Sequence, residues 1–218
     1  MAFTPSLIIK LVRHGQSQAN TGEKLPHLVG DAKIGLNDIG RQQAQAAGQT
    51  IGASFLATAT IYCSPYERTR ETTRLLLQGA GVRADTKVYE DPRLREVERG
   101  YQDEASQFGL RKVHGWFYYR HSGGESAADC YDRTSAFLES MMRGAERSGT
   151  QQFVIVTHGM TIRCFVMRFL HLTVEQFETM QNPENADIIT IAPREAMTSP
   201  VFANGRWGVE GLRLRDVG

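Results

Sequence analysis

The sequence predicts an α/β protein, a three-layer α/β/α sandwich around a mostly parallel central sheet. Short apolar stretches alternate with segments of helical pattern, which is typical of a parallel sheet covered by helices on both faces. Two apolar stretches end alike: 7–12 leads into Arg-His-Gly at 13–15, and 153–156 leads into Thr-His-Gly at 157–159. The length of 218 residues is enough for one domain with a large core. We therefore expect residues 1–218 to form a single domain.

The first half of the chain predicts strands that alternate with helices. Strands are expected at 7–12, 59–62 and 87–89. After a turn-rich stretch, Asn37 or Asp38 can cap a helix that runs through Ile51. Ser64 as a cap, with Pro65 in the first turn, predicts a second helix through Leu77. A helix is also expected to begin close to His14, where its free N–H groups would attract an anion.

The second half continues this alternation after a less regular segment. Residues 97–125 contain a charged run and an aromatic cluster, and we expect them to form a small lid insertion. Ser126 and Asp129 resemble a capping box that opens a helix to about Ala145. A helix at 161–170 and a strand at 187–191 follow, and Asn204-Gly205 predicts a hairpin.

Composition limits the classes of partner. The net charge of +1 provides no overall field that would attract nucleic acid or an anionic membrane. The three cysteines, Cys63, Cys130 and Cys164, fit neither a disulfide framework nor a zinc site, so reduced thiols are expected. The apolar run near the N-terminus is interrupted by Lys10 and is too short for a signal or a membrane span. We expect a soluble cytoplasmic protein with no membrane or nucleic-acid partner, and the oligomeric state stays open.

Arginine and histidine residues are expected to converge at one edge of the sheet. His14 and His158 each follow a strand, and Arg68 lies early in the helix after a third strand. In open α/β sheets ligands bind outside the carboxyl ends of the strands. Arg13-His14 alone could be an ordinary surface pair. With His158 and Arg68 beside it, however, the cluster would repel itself without an anionic ligand, and a phosphate dianion would satisfy all four groups.

Five motifs together resemble the histidine phosphatase superfamily, also called the phosphoglycerate mutase-like family. The Arg-His-Gly signature lies in 11–20 and the second arginine motif in 64–68. Residues 94–96 resemble the segment of the proton donor, 123–126 a loop common in phosphatase members, and 156–159 the second histidine motif. The motifs occur in the family's order across most of the chain, which makes the resemblance specific.

The resemblance implies a phosphatase that hydrolyses a small phosphomonoester without a metal or other cofactor. His14 would be the nucleophile that forms a phosphohistidine. Glu96 would protonate the leaving oxygen and then activate water, with Glu98 as its nearest rival. The residues expected to bind the transferring phosphoryl group and stabilise its charge are Arg13, Asn20, Arg68, His158 and Gly159.

Other classes of protein fit the motifs of this sequence less well. A cysteine phosphatase needs Cys-x₅-Arg, and none of the three cysteines has an arginine at that spacing. No Gly-x-Ser-x-Gly elbow of a serine hydrolase is present. A non-catalytic phosphoester-binding module would keep the arginines but would not require His14 or Glu96. Phosphoglycerate mutases carry Leu-Asn-Glu-Arg and a longer insertion, whereas residues 94–97 read Leu-Arg-Glu-Val, which favours a phosphatase over mutase-type phosphoryl transfer.

Overall fold

The computed structural model describes residues 7–83, 85–100 and 104–215, with side chains for all of these except 104–106. The strands in these ranges are β1 (Ile8–Arg13), β2 (Thr60–Cys63), β3 (Val88–Glu90), β4 (Gln152–Thr157), β5 (Ile188–Pro193), β6 (Phe202–Asn204) and β7 (Trp207–Glu210). The α-helices are α1 (Pro26–Val29), α2 (Asp38–Ile51), α3 (Ala53–Thr58), α4 (Glu67–Gly79), α5 (Glu104–His114), α6 (Ala127–Ser148), α7 (Gly159–Leu170) and α8 (Val174–Thr179).

The strands form one sheet in the order β3-β2-β4-β1-β5-β7-β6. The first four of these run parallel to one another, and β5, β7 and β6 continue the sheet with antiparallel pairings. The α/β prediction with a parallel central sheet is confirmed. The predicted Asn204-Gly205 hairpin is also confirmed, as the turn between β6 and β7. No local pattern in the sequence indicates that β5, β7 and β6 extend the sheet with antiparallel pairings.

The central strands β1 and β4 are buried on both faces. Ile9, Leu11 and Ile155 belong to a core shared with α6 and α7, whereas Val12 and Val154 belong to a core shared with α2 and α4. Such strands read as nearly continuous apolar runs rather than as alternating ones. Because helices cover both faces, the carboxyl edge of the parallel strands remains as the place for a polar site.

Two predicted helix starts are wrong. No helix begins close to His14: the chain runs through turns, Ser17 forms a bridge with Leu36, and the next helix, the short α1, begins only at Pro26. The helix predicted to run from an Asn37 cap through Ile51 is confirmed as α2, where Asn37 Oδ1 accepts a hydrogen bond from the Gly40 amide at 2.9 Å. The helix predicted to begin at Ser64 starts at Glu67, with Tyr66 in the capping position. The Ser64 hydroxyl hydrogen-bonds the His158 side chain, a partner that no local pattern reveals.

The segment predicted as a lid contains α5 and a loop that ends at Gly123-Gly124. Residues 101–103 of this segment lie outside the described residues, and the role as a lid stays a prediction. The capping box that follows is confirmed, since Ser126 Oγ accepts from the Asp129 amide at 3.1 Å and Asp129 Oδ2 accepts from the Ser126 amide at 2.7 Å. The resulting helix α6 extends beyond the predicted Ala145 to Ser148. None of the helices in the described ranges has the length and apolar character that crossing a bilayer requires.

Candidate active site

A polar cleft of about 260 Å³ opens at the carboxyl end of β1, beside the start of α4. Its walls come from residues in three stretches, 13–20, 26–31 and 96–100, together with Arg68 from α4. A larger cavity of about 580 Å³ lies between α4 and β3, but neither histidine of the strand ends lines it. The smaller cleft is the candidate active site, because five of the residues predicted for the site line it, whereas His158 and Gly159 do not. The five are Arg13, His14, Asn20, Arg68 and Glu96.

His14 lies at the end of β1 with its ring almost fully buried. Its Nδ1 is 2.8 Å from the carbonyl oxygen of Gly15, which can only accept a hydrogen bond, so Nδ1 carries the proton. The lone pair of the neutral ring is therefore on Nε2. Burial, and then the charges of Arg68 and Arg13, lower the pKa of His14 well below its ordinary value. The arrangement presents a neutral imidazole with a nucleophilic nitrogen.

Gly15 is required by close packing rather than by a need for an open amide. A Cβ at this position would lie 2.3 Å from the carbonyl oxygen of Gly40, so only glycine fits between β1 and α2. The Gly15 amide donates to Thr72 Oγ1 at 3.1 Å. The expectation that this amide stays free for an anion is wrong, because α4 supplies an acceptor for it.

Arg13 holds its guanidinium at the cleft through one backbone contact. Nη1 donates to the Pro183 carbonyl at 2.6 Å. Its Nε is buried and has no hydrogen-bond partner in the described part of the chain. A buried N–H without an acceptor costs free energy, about 1–3 kcal/mol, unless a ligand supplies one. Such an orphaned donor is consistent with an anion site.

Arg68 is almost completely buried at the start of α4 and is paired with a residue that sequence reasoning missed. Its Nη1 and Nη2 donate to Oδ1 and Oδ2 of Asp31 at 2.9 and 3.0 Å, and Nη1 also donates to the Asp31 carbonyl at 2.8 Å. The guanidinium lies over the Tyr66 ring, 4.9 Å from its centroid. Asp31 lies in the turn-rich stretch, and its sequence neighbours carry no signal of this partner 37 residues away.

His158 occupies the N-cap position of α7 and is fully buried. Its Nε2 is 2.9 Å from Ser64 Oγ, and its Nδ1 is a second buried atom without a partner among the described residues. Its ring lies 5.2 Å from that of His14, centroid to centroid. Burial, followed by the charge of Arg68, lowers its pKa well below the ordinary value. Gly159 begins α7, where a Cβ would lie 3.2 Å from the Asn182 side chain.

Glu96 and Glu98 both line the cleft but are held differently. Glu96 Oε1 accepts from the Val97 amide at 3.0 Å, and Oε2 accepts from the Met160 amide at 3.4 Å, so this carboxylate lies at the N-terminus of α7. Glu98 is exposed. The segment is anchored by Arg133, which donates to the Arg93 carbonyl at 2.7 Å and pairs with Glu125. The two amide contacts of its carboxylate favour Glu96 over Glu98 as the ordered acid.

Asn20 is exposed at the rim of the cleft. Its Oδ1 accepts from the Ser17 amide and hydroxyl, each at 3.0 Å, and from Asn185 Nδ2 at 3.2 Å. The side-chain amide nitrogen is the group left to donate to a ligand. Asn185 also donates to the His14 carbonyl at 3.1 Å. It is a second residue that the sequence analysis missed, because 165 residues separate it from Asn20.

Two features define the class of this protein. Helices cover both faces of an α/β sheet, and a buried histidine, His14, lies at a strand end beside Arg13 and Arg68. The chain belongs to the histidine phosphatase superfamily (branch 1), whose pattern matches residues 9–204. Members of the family that resemble this chain carry the names of both phosphatases and phosphoglycerate mutases.

Two relatives illustrate the range of names. Phosphoglycerate mutase-like protein AT74 of Arabidopsis thaliana is 39% identical over 202 residues, which cover 84% of this chain and 64% of that protein. The chain thus spans less than two thirds of the length of that relative. The 2,3-bisphosphoglycerate-dependent phosphoglycerate mutase of Parvibaculum lavamentivorans is 30% identical over 194 residues, covering 85% of this chain and 90% of that one.

Among solved structures, a mycobacterial glucosyl-3-phosphoglycerate phosphatase in complex with VO3 has the same fold. It superposes with a TM-score of 0.73 at 22% identity, covering 94% of this chain and 98% of that chain. At this level of identity the likeness shows the fold and not the substrate.

Proposed function

We propose that this protein is a phosphomonoester hydrolase that acts through a phosphohistidine on His14 Nε2. The observation that carries the proposal is the Nδ1–H···O hydrogen bond from His14 to Gly15, because it leaves the lone pair on Nε2 of a ring whose pKa is lowered. Phosphoryl transfer depends mainly on positioning and charge stabilisation. Both requirements fit a buried ring between two arginines.

In the first step, His14 Nε2 attacks phosphorus while the ester P–O bond breaks. Glu96 gives its proton to the leaving alkoxide, and the departing alcohol carries it away. In the second step the Glu96 carboxylate takes a proton from water, whose oxygen attacks phosphorus, and the P–N bond breaks to release His14 and inorganic phosphate. In each step the attacking atom and the leaving atom lie on opposite sides of the phosphorus.

Charge on the transferring phosphoryl group is stabilised by preorganised donors. The side chains of Arg13 and His158 each have a buried nitrogen without a protein partner in the described residues, and we assign both to phosphoryl oxygens. Arg68, the Gly159 amide at the start of α7 and Asn20 complete the set. These groups supply the stabilising charge without a metal ion, and no other cofactor is invoked.

The alternative is mutase-type transfer to a second hydroxyl, which the names of several relatives favour. A mutase must keep water from its phosphohistidine. Glu96 lies in an open cleft at the helix terminus, where a water molecule can reach it, and this favours hydrolysis.

The test is hydrolysis of a panel of alkyl and aryl phosphates in the presence of EDTA. We expect the wild-type protein to release phosphate, and His14→Ala to lose about 10³-fold or more of kcat. His114→Ala removes an exposed histidine that does not line the cleft and is the matched control. Undiminished activity in His14→Ala would refute the proposal. Phosphate binding without turnover by the wild-type protein would instead indicate a non-catalytic binding module.

A further inference from the structure

The carboxylate of Asp31 is an anionic group at a site that otherwise suits anions. It is carried by residues 25–33, called the strap here, which consist of α1 and a short 3₁₀ turn at Asp31–Lys33. Most of the strap is exposed, but its residues Pro26 and Asp31 line the cleft. The Asp31 side chain keeps 29% of its surface accessible while it pairs with Arg68. The Asp31 carboxylate therefore interacts electrostatically with any ligand bound in the cleft.

Asp31 occupies only one edge of the Arg68 guanidinium. Its two oxygens bind Nη1 and Nη2 end-on. A guanidinium has a second, side-on edge formed by Nε–H and the other Nη2–H. Within the described residues this Nε donates to no protein atom, so the side-on edge is available to one phosphate. Asp31 therefore orients the Arg68 guanidinium and leaves its side-on edge free to bind a phosphate.

The charged side chains of the cleft disfavour a second anionic group on the substrate, in addition to the reacting phosphate. The charged groups lining the cleft are Arg13, Arg68, Arg99, Asp31, Glu96 and Glu98. With Glu96 protonated, as the first step requires, three positive charges face the two carboxylates of Asp31 and Glu98. A bound phosphate dianion therefore makes the cleft net negative, and Asp31 already neutralises Arg68. The nearby lysines Lys24 and Lys33 line a separate cavity, together with Glu67 and Glu71. A carboxylate or second phosphate would therefore face Asp31 and Glu98.

We propose that Asp31 is a specificity-determining residue that selects phosphomonoesters whose remaining part carries no anionic group. Phosphoglycerates and bisphosphates are disfavoured by like-charge repulsion from its carboxylate. This inference rests on the proposed function, since it concerns the same phosphate site. It also gives a physical reason for hydrolysis over mutase chemistry, because a mutase must hold a bisphosphate.

The test compares sn-glycerol 1-phosphate with D-3-phosphoglycerate, which share the configuration at C2 and differ only in a hydroxymethyl group against a carboxylate. We expect the wild-type protein to favour the first by about tenfold in kcat/KM, as a partly screened charge contact would give. Asp31→Asn removes the charge and should abolish the preference, whereas Asp31→Glu keeps it. Raising the salt concentration should shrink the wild-type preference. Asp85→Asn, which breaks an exposed arginine pair outside the cleft, is the matched control and should change nothing.

Calorimetric binding of the same two compounds provides a readout that does not need turnover. If the wild-type protein hydrolyses neither compound, the panel of alkyl and aryl phosphates still decides the proposed function, and the binding ratio decides the role of Asp31. No wild-type preference in binding or turnover would overturn the inference. Equal losses for both compounds in Asp31→Asn would also overturn it, and would reduce Asp31 to a support for Arg68. Circular dichroism of each variant separates these outcomes from misfolding.

Discussion

At the scale of single residues, the two ring nitrogens of His14 differ in their environment and therefore in their role. Nδ1 is held by its own neighbour in the chain, and Nε2 is left for chemistry. This division needs a neutral ring. Burial is the largest cause that lowers the pKa of His14 and keeps its ring neutral, and the charges of Arg68 and Arg13 lower this pKa further.

We therefore expect His14 to titrate at a pH well below 6.5, the ordinary value for histidine. As the pH falls through the ordinary range, the unfolded chain takes up this proton before the folded protein does, so His14 contributes a loss of stability on the acid side. The measurement is an NMR titration of the imidazole resonances without phosphate, assigned by comparison with His14→Gln. Arg68→Met should raise the pKa of His14 but leave it below the ordinary value, because burial is the larger cause. Titration near 6.5 in the wild-type protein would contradict this account.

At the scale of elements, α4 brings Arg68 to the site and is held against α2 by glycines. A Cβ on Gly48 would lie 1.9 Å from the Leu76 carbonyl oxygen, and one on Gly79 would lie 2.2 Å from that of Gln45. The backbones of the two helices are thus in direct contact. This contact between the helices determines where α4 places Arg68 and Thr72, and Thr72 accepts a hydrogen bond from the Gly15 amide.

Replacing Gly48 with alanine should destabilise the protein by about 1–3 kcal/mol, because the added methyl group forces the helices apart. Helix propensity alone would predict the opposite sign, a gain of about 1 kcal/mol. Gly144→Ala is the control: this glycine also lies inside a helix, but a Cβ there meets nothing within 4 Å, so a gain of about 0.5–1 kcal/mol is expected. Urea unfolding of both variants measures the difference. Equal stability changes would show that α2 and α4 are not in close contact.

At the scale of the whole molecule, the sequence was sufficient to predict what local pattern encodes. The apolar runs predict strands that end at Val12 and Val156, one residue before the observed ends at Arg13 and Thr157. The spacing of Ser126 and Asp129 predicts the capping box. Partners brought together by folding were not predictable in this way. Ser64 and His158 are 94 residues apart, and Asp31 and Arg68 are 37 apart.

The absence of a helix close to His14 has the same physical origin, since it too depends on residues that are distant in the sequence. From the sequence, the glycine after His14 is compatible with a turn into a helix. Gly15 instead packs against Gly40 of α2, and the intervening chain forms the strap. A glycine is compatible with a turn, a helix terminus or a close contact, and only the packed structure distinguishes them.

The most direct test of the central claim is to trap the phosphoenzyme. A labelled aryl phosphate, whose leaving group needs little acid assistance, is mixed with Glu96→Gln, in which attack by water is slowed. We predict an acid-labile, alkali-stable phosphoryl group on Nε2 of His14, detected by mass spectrometry, with far less accumulating in the matched variant Glu98→Gln. A Glu96→Gln variant that releases phosphate without ever carrying the label on His14 would contradict the account.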